Sequence, residues 1–198
     1  MTTNMIQKAL ETAFDYHKGQ KRKTNNAPYI VHILDVAKLL LSETTATENI
    51  IVAGILHDTL EDTSYTAEQL RTDFSSDVLE LVLFVTESNK ESTTSKEQKR
   101  LTWKSRKQHT LDICKTATND QLLILLADKL SNLQSIKEDI IVIGDDIWSY
   151  FNAPKENVCW YYRELNSIFR QRINNSRLFK LYDKVFMDVF PNNQNEGK

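Results

Sequence analysis

An apolar run that leads directly into a cluster of ionisable side chains is the feature that most restricts how this chain can fold. Residues 50 to 56 are nearly all aliphatic, and the next six positions hold four side chains that can bind a metal or move a proton: His57, Asp58, Glu61 and Asp62. Residues three and four apart share one face of a helix, so this spacing predicts one buried helix that carries all four on one side. Buried charges are costly unless they are compensated. A divalent cation would compensate them, and the segment therefore predicts a metal site with catalytic carboxylates beside it.

The composition indicates one domain, soluble and helical. The chain has 198 residues, enough to bury a core without disulfides, and its 4 Gly and 3 Pro argue against an all-β architecture. Cys114 and Cys159 lie far apart, as expected of reduced thiols in an intracellular protein. The net charge of −2 lacks the basic excess of a nucleic-acid binder, and no window has the pattern of a signal peptide or membrane span. We therefore expect a cytoplasmic protein with neither a nucleic acid nor a membrane as partner.

Helical periodicity recurs along the chain and predicts an all-α fold. We predict helices over residues 4–18, 29–42, 47–63, 66–74, 76–87, 97–116, 122–136, 154–170 and 174–189. Asn119 or Asp120 is the expected cap of the helix over 122–136, and 140–143 is interpreted as helix or turn because a lone strand has no partner. Residues 88–96 lose all apolar content and predict a mobile surface loop. A single compact helical bundle over residues 1–190 follows, with a disordered tail at 191–198.

Further metal ligands must come from outside the central motif, since His57 and Asp58 are the two of its residues that can comfortably face one ion. His32 lies near the start of the second helix, and Asp128 lies within an almost wholly apolar helix. Without a metal, Asp128 would need a basic partner, and Lys129 is expected to point elsewhere on the helix. Two imidazoles and two carboxylates suit a divalent ion with open positions, and Mn²⁺, Fe²⁺ and Zn²⁺ all fit.

Three segments in this order carry a family resemblance. They are Arg22-Lys23 ahead of Pro28-Tyr29-Ile30-Val31-His32, then Leu56-His57-Asp58-Thr59-Leu60-Glu61-Asp62-Thr63, then Leu126-Ala127-Asp128-Lys129-Leu130-Ser131-Asn132. The pattern resembles the HD-domain metal-dependent phosphohydrolases, and within them the RelA/SpoT-type guanosine polyphosphate hydrolases in the form of a stand-alone small alarmone hydrolase. The resemblance covers residues 5 to 171 and implies an HD-type domain over residues 1–190.

The resemblance implies an activity and a role for each matching residue. The activity is removal of the 3′-pyrophosphate from guanosine tetraphosphate or pentaphosphate, giving GDP or GTP and pyrophosphate. The implied ligands of one metal ion, usually manganese, are His32, His57, Asp58 and Asp128. The implied catalytic pair, Glu61 and Asp62, positions and deprotonates water. The implied nucleotide contacts are Arg22, Lys23, Asn132, Ser135 and Tyr161, the last in an uncertain register.

The sequence departs from the family pattern at three places. Thr24-Asn25-Asn26 stands where a glycine is common, although Asn tolerates left-handed backbone. Ile33 replaces a proline after the first metal histidine, and the connection over 88–117 is longer than in compact members. This connection carries a basic cluster that is expected to be an exposed helical face, or alternatively to line the pocket mouth: Lys96, Lys99, Arg100, Lys104, Arg106 and Lys107.

Other functions remain open at this point. The substrate can be a different phosphate ester, such as the 2′-phosphate of NADPH, a dNTP or a nucleoside monophosphate. A non-catalytic alarmone sensor has no use for Glu61 and Asp62, and a helical interaction scaffold leaves the buried acids unexplained. The oligomeric state and the regulation are not predicted.

Overall fold

The computed structural model describes residues 4–87 and 95–191 as an assembly of α-helices. The helices are α1 (Met5–Tyr16), α2 (Ile30–Leu41), α3 (Glu48–Leu56), α4 (Thr59–Asp62), α5 (Ala67–Asp73), α6 (Ser76–Val85), α7 (Lys96–Leu101), α8 (Trp103–Cys114), α9 (Asn119–Ile143), α10 (Lys155–Arg172) and α11 (Arg177–Val189), with a 3₁₀ helix (Gly144–Tyr150) after α9. Within the described ranges the extended pairing is limited to a bridge between Lys21 and Pro28. The predicted all-α class is confirmed.

Helix α9 is the centre of the core. It has 25 residues, and its first half is almost completely buried from Leu122 to Ala127. It packs against α2, α3, α6, α10 and α11. A helix that is apolar on all sides needs neighbours on all sides, and α9 obtains them by passing through the middle of the bundle. Asp128 is therefore placed deep in the protein.

The bounds of α9 differ from the prediction at both ends. Thr118 caps the helix in a reciprocal capping box with Gln121, so neither Asn119 nor Asp120 is the cap. The helix also continues beyond 136 and through 140–143, because no glycine or proline interrupts it before Gly144, whose φ of 63° ends the regular backbone. Ile141 and Val142 are apolar but exposed in the structure, so the apolar pattern of the sequence did not indicate that the helix continues here.

The prediction of one continuous helix over the central motif is wrong. α3 ends at Leu56, His57 and Asp58 form a turn, and α4 begins at Thr59. The four ionisable side chains therefore do not share one straight helical face. Across this turn Asp58 Oδ2 lies 2.9 Å from His57 Nε2.

The helix predicted over 97–116 is divided at Thr102 into α7 and α8, in keeping with the expected kink. The other predicted helices are found within a few residues of their expected bounds. The expected loop at 88–96 and the expected tail at 191–198 lie largely outside the described residues, as 88–94 and 192–198. In the described part of the chain every helix is too short or too polar to cross a bilayer.

Gly54 lies where α3, the helix that precedes His57, packs against α2, the helix that carries His32. A Cβ atom built on Gly54 would overlap Cδ1 of Leu40, a fully buried side chain of α2. Close-packed cores accommodate an added methyl group poorly.

We predict that Gly54→Ala lowers the free energy of unfolding by about 1–2 kcal/mol, because the steric cost exceeds the gain of about 1 kcal/mol in helix propensity. Urea denaturation measures this change. In a Leu40→Ala background the same glycine substitution should cost nothing or should stabilise. An equal cost in both backgrounds would show that the overlap with Leu40 is not its origin.

Candidate metal centre

Four side chains from three segments of the chain converge on one point. His32 comes from the first turn of α2, His57 and Asp58 from the turn after α3, and Asp128 from the middle of α9. The Nε2 atoms of His32 and His57 are 3.2 Å apart, and Asp58 Oδ2 lies 2.9 Å from His57 Nε2 and 3.8 Å from His32 Nε2. Asp128 Oδ1 lies 3.4 Å from His32 Nε2 and 3.9 Å from His57 Nε2. The sequence predicted these four residues as ligands, and the structure brings them together.

The second nitrogen of each imidazole has its own partner. His57 Nδ1 donates to the carbonyl of Gly54 at 2.8 Å, and His32 Nδ1 lies 3.0 Å from Ser131 Oγ. Partners of this kind hold a histidine ring in one orientation and leave the Nε2 lone pair for a metal. Ligands about 2.1 Å from a common ion are about 3 Å from each other. Because the Nε2 atoms of His32 and His57 and Asp128 Oδ1 are 3.2 to 3.9 Å from one another, these three residues fit a single divalent cation, and Asp58 Oδ2 lies beside them, 2.9 Å from His57 Nε2.

Burial and charge act in opposite directions on the pKa values of these groups. Burial lowers the pKa of His32. Burial also acts to lower the pKa of His57, but the Asp58 carboxylate, its hydrogen bond and Asp128 together raise it to about 9. Burial acts to raise the pKa values of the two carboxyl groups, yet His57 lowers that of Asp58, and Lys129 with the two histidines lowers that of Asp128. Without a cation, a proton on His57 compensates the two carboxylates.

Lys129 differs from its prediction. Its Nζ atom lies 2.6 Å from Asp128 Oδ2, whereas the sequence indicated that it points elsewhere. Neighbouring residues are about 100° apart around a helix, but a lysine side chain is long enough to fold back over that angle. The burial of Asp128 is therefore already compensated in part by Lys129, and the facing imidazoles are the stronger indication of a metal.

The predicted catalytic pair lies beside this centre on α4. Glu61 Oε2 accepts a hydrogen bond of 3.0 Å from the backbone N–H of Glu87, and the backbone carbonyl of Asp62 accepts one of 2.7 Å from Gln20 Nε2. Both carboxylates line a cavity of about 450 Å³ that also reaches Asp58 and Asp128. We name this space the catalytic cavity. Its volume is in the usual range for small-molecule sites.

Cations line another part of the catalytic cavity: Lys23, Lys99, Arg106, Lys107 and Lys129. The expectation that the basic cluster is an exposed face is therefore wrong for Arg106 and Lys107. Their side chains are 12% and 21% exposed, and they bind Glu87 at 2.5 Å and 3.3 Å. The alternative, in which the cluster lines the pocket mouth, is correct for Lys99, Arg106 and Lys107.

The structure places some of the predicted substrate-binding residues at the catalytic cavity and others outside its lining. Lys23, Asn132 and Tyr161 line the catalytic cavity, while Arg22 and Ser135 are not among its lining residues. The Arg22 guanidinium instead lies 3.3 Å from Asn132 Oδ1 and so ties its loop to α9. That loop turns at Asn26, whose φ of 60° confirms that an asparagine adopts the left-handed backbone expected at this turn.

Tyr161 is buried, and its hydroxyl makes no hydrogen bond within the described ranges. The Lys107 ammonium lies 5.4 Å from the centre of its ring. Burial raises the pKa of the phenol. Tyr161 therefore lines the catalytic cavity with a neutral phenol whose hydroxyl oxygen is itself buried.

Two residues of the site were not identified from the sequence. The hydroxyl of Tyr29 donates a short hydrogen bond to Asp58 Oδ2, and Glu87 bridges α4 to α8. Tyr29 belongs to the Pro-Tyr segment before His32, so its position in the motif was an available signal. Glu87 follows the apolar run of α6 and has no pattern that marks it.

Comparison with known proteins identifies the family of the chain. A family model described as HD domain matches residues 9–156. The guanosine-3′,5′-bis(diphosphate) 3′-pyrophosphohydrolase MESH1 of Xenopus tropicalis is 32% identical over 187 residues, which are 93% of this chain and 94% of that protein. The guanosine-3′,5′-bis(diphosphate) 3′-pyrophosphohydrolase of Aquifex aeolicus is 39% identical over 135 residues, 66% of this chain and 18% of that protein. The GTP pyrophosphokinase of Streptomyces coelicolor is 35% identical over 137 residues, 69% of this chain and 15% of that protein. The chain thus spans less than a fifth of these two bacterial relatives.

Solved structures share the fold. One is described as a metazoan ortholog of SpoT that hydrolyzes ppGpp and plays a role in starvation responses. It superposes with a TM-score of 0.68 at 26% identity and covers 94% of this chain and 96% of that chain. The crystal structure of lmo0812 from Listeria monocytogenes superposes with a TM-score of 0.69 at 29% identity and covers 83% and 96%.

We predict that metal affinity depends on pH through His57. A metal needs the bare Nε2 atom, and below about pH 9 that atom carries a proton. Between pH 6.5 and 8.5 the affinity for Mn²⁺ should therefore rise about tenfold per pH unit, as one bound proton is displaced. Calorimetric titration in two buffers of different ionisation enthalpy should count about one released proton. An affinity that does not change with pH would contradict the assignment.

Proposed function

The chain belongs to the HD domain family, and from this we propose that it is a metal-dependent hydrolase of guanosine tetraphosphate and pentaphosphate. It removes the 3′-pyrophosphate and releases GDP or GTP with pyrophosphate. The observation that carries the proposal is the convergence of His32, His57, Asp58 and Asp128 at the edge of a cavity that is lined by Asp58, Asp128, Glu61 and several cations. A relative of nearly the same length has this activity in its name.

His32, His57, Asp58 and Asp128 would hold one divalent cation, for which two imidazoles with two carboxylates are suited; among the ions that fit we propose manganese, the ion that the family resemblance implies. Such an ion lowers the pKa of water and draws charge from a phosphate oxygen. The Gly54 carbonyl and Ser131 keep both imidazoles oriented towards it. The protein supplies the remaining steps through its own side chains.

Glu61 is the proposed acceptor of the proton from the attacking water, and Asp62 orients the same water. The Glu87 N–H holds one oxygen of Glu61, so the direction of the carboxylate is determined before substrate binds. A positioned carboxylate typically contributes a factor of about 10²–10⁴ to the rate.

The cations are the proposed binding groups for the phosphates. Guanosine tetraphosphate carries two pyrophosphate groups, and several cations share the cavity with the metal ligands. Lys107 and Arg106 are held by Glu87, while Lys23 is on an exposed loop. Asn132 and the Tyr161 hydroxyl can donate hydrogen bonds to the nucleoside. The proposed partner is thus a small nucleotide, and the proposed location is the cytoplasm.

The direct test is incubation of the manganese-loaded protein with guanosine tetraphosphate, with products separated by ion exchange. GDP and pyrophosphate should form, and an Asp58→Ala variant should form neither. Parallel incubations with NADPH and a dNTP test other phosphate esters. Turnover of one of these without turnover of guanosine tetraphosphate would retain the metal site and overturn the substrate. Equal rates with Zn²⁺ and Mn²⁺ would overturn the choice of metal.

We predict that Glu61→Gln lowers turnover at least a hundredfold, because the amide cannot accept the proton from water. The manganese content should stay at one ion per chain by elemental analysis, since Glu61 is not a ligand. The matched control is Glu68→Gln on the exposed surface of α5, which should retain full activity. Turnover near the original rate in Glu61→Gln would remove this residue from the mechanism.

We predict that Lys23→Ala raises KM for guanosine tetraphosphate about tenfold, equivalent to about 1.4 kcal/mol, with little change in kcat. Lys23 lines the catalytic cavity from an exposed loop outside α4, so its loss should weaken binding alone. Lys21→Ala is the control, because Lys21 is exposed on the same loop and outside the cavity lining. A fall in kcat at unchanged KM would contradict the assigned role.

A further inference from the structure

A second cavity adjoins the catalytic cavity. It has a volume of about 420 Å³ and lies where α7 and α8 meet the segment between the 3₁₀ helix and α10. We name it the aromatic cavity after three of its lining residues, Trp103, Trp148 and Phe151. Asn152 lines both cavities.

The aromatic rings are held in place by contacts within the described residues. Trp148 Nε1 donates to Asp145 Oδ1 at 2.9 Å, and the Trp148 and Phe151 ring centres are 5.5 Å apart. Trp103 is buried and meets Tyr161 of the catalytic cavity edge to face, with ring centres 6.2 Å apart. Rigid aromatic faces at the wall of a cavity are suited to stacking a planar ring.

The charge of the aromatic cavity has one sign. Arg100 and Lys104 line it, and none of the ten described lining residues is acidic. Both cations are exposed, and within the described ranges neither makes an ion pair. Lys104 Nζ lies 5.5 Å from the centre of the Trp160 ring. The nearby Asp145 carboxylate is bound by Lys155 at 2.8 Å and by Trp148. The catalytic cavity differs, because it contains five carboxylates.

We propose that the aromatic cavity is a second binding site, and that its ligand is a nucleotide. A planar base stacks on Trp148 and Phe151, and the phosphates reach Arg100 and Lys104. Asn152 and Asn157 supply amide donors and acceptors for the edge of the base. The volume is in the range of small-molecule sites and suits one nucleotide. The nucleotide in the aromatic cavity would be bound but not hydrolysed, because no metal-ligating group lines this cavity among the described residues.

A nucleotide bound there would act on the catalytic cavity. It touches Asn152, which belongs to both walls, and Trp103, which packs on Tyr161. It also contacts Arg100, the neighbour of Lys99, whose side chain lines the catalytic cavity. Occupancy should therefore change KM for the proposed substrate.

The test uses the full chain, loaded with manganese and freed of excess metal, with GTP as the probe. GTP has no 3′-phosphate, so it offers no bond of the kind proposed to be hydrolysed. Because GTP is also a proposed product, any GTP bound in the catalytic cavity is identified by its loss in Lys23→Ala and is counted apart from binding in the aromatic cavity. Two of the three tryptophans line the aromatic cavity. We expect saturable quenching of tryptophan fluorescence by GTP and binding of GTP by calorimetry.

The variants separate the two cavities. Arg100→Gln combined with Lys104→Gln should weaken GTP binding at least tenfold, whereas Lys23→Ala, which removes a cation from the catalytic cavity, should leave it within twofold. Trp148→Ala should also weaken binding at least tenfold, and Trp148→Phe should restore it because the ring is kept. Thermal unfolding and manganese content should be unchanged in the double glutamine variant, which shows that its loss of binding is local.

Three results would overturn the proposal. They are no GTP binding at millimolar concentration, binding that Lys23→Ala abolishes while the double glutamine variant retains it, and binding that is equal in Trp148→Ala and Trp148→Phe. Hydrolysis of guanosine tetraphosphate without GTP is measured separately in the same variants. It should persist in the double glutamine variant, so failure of this site is distinguishable from failure of the proposed hydrolase.

Discussion

The close approach of two imidazole nitrogens is the interaction on which the rest of the structure depends. His32 and His57 come from different helices, yet their Nε2 atoms are 3.2 Å apart. Two lone pairs do not face each other at that distance without a cation or a proton between them. The surrounding groups maintain the arrangement. The missing side chain of Gly54 lets α2 and α3 approach, and the Gly54 carbonyl and Ser131 orient the two rings.

The helical break after Leu56 has a chemical consequence. At the turn formed by His57 and Asp58, Asp58 Oδ2 lies 2.9 Å from His57 Nε2. Helix α4 begins directly after this turn, and its residues Glu61 and Asp62 line the catalytic cavity. One short segment thereby provides two of the proposed metal ligands and both of the proposed catalytic carboxylates. The backbone of Glu87, at the end of α6, holds Glu61 in this position.

Charge is divided between two cavities that share a wall. The catalytic cavity places carboxylates among cations, as expected where a metal and phosphates meet. The aromatic cavity has cations and rings without acids. Residues of α7 and α8 line both cavities. The basic residues that form one cluster in the sequence are therefore divided between the catalytic cavity and the aromatic cavity. Arg106 and Lys107 are partly buried against Glu87, whereas Arg100 and Lys104 are exposed.

Local patterns in the sequence were sufficient for the helical class, for most helix positions and for selecting the four residues, proposed as metal ligands, that the fold brings together. Helical periodicity depends on neighbouring residues, and His57, Asp58 and the apolar run before them are contiguous. His32 and Asp128 were identifiable because each is a polar group in an apolar helix or a recognisable motif. The tertiary structure alone determined the contacts that cross between distant segments. The sequence did not indicate the turn at His57 and Asp58 or the ion pair of Lys129 with Asp128. It also did not indicate that Glu87 forms ion pairs with Arg106 and Lys107, or that Arg22 lies outside the cavity lining. A sequence pattern specifies which face of a helix is apolar, but the partner of a long charged side chain depends on which other helix packs beside it.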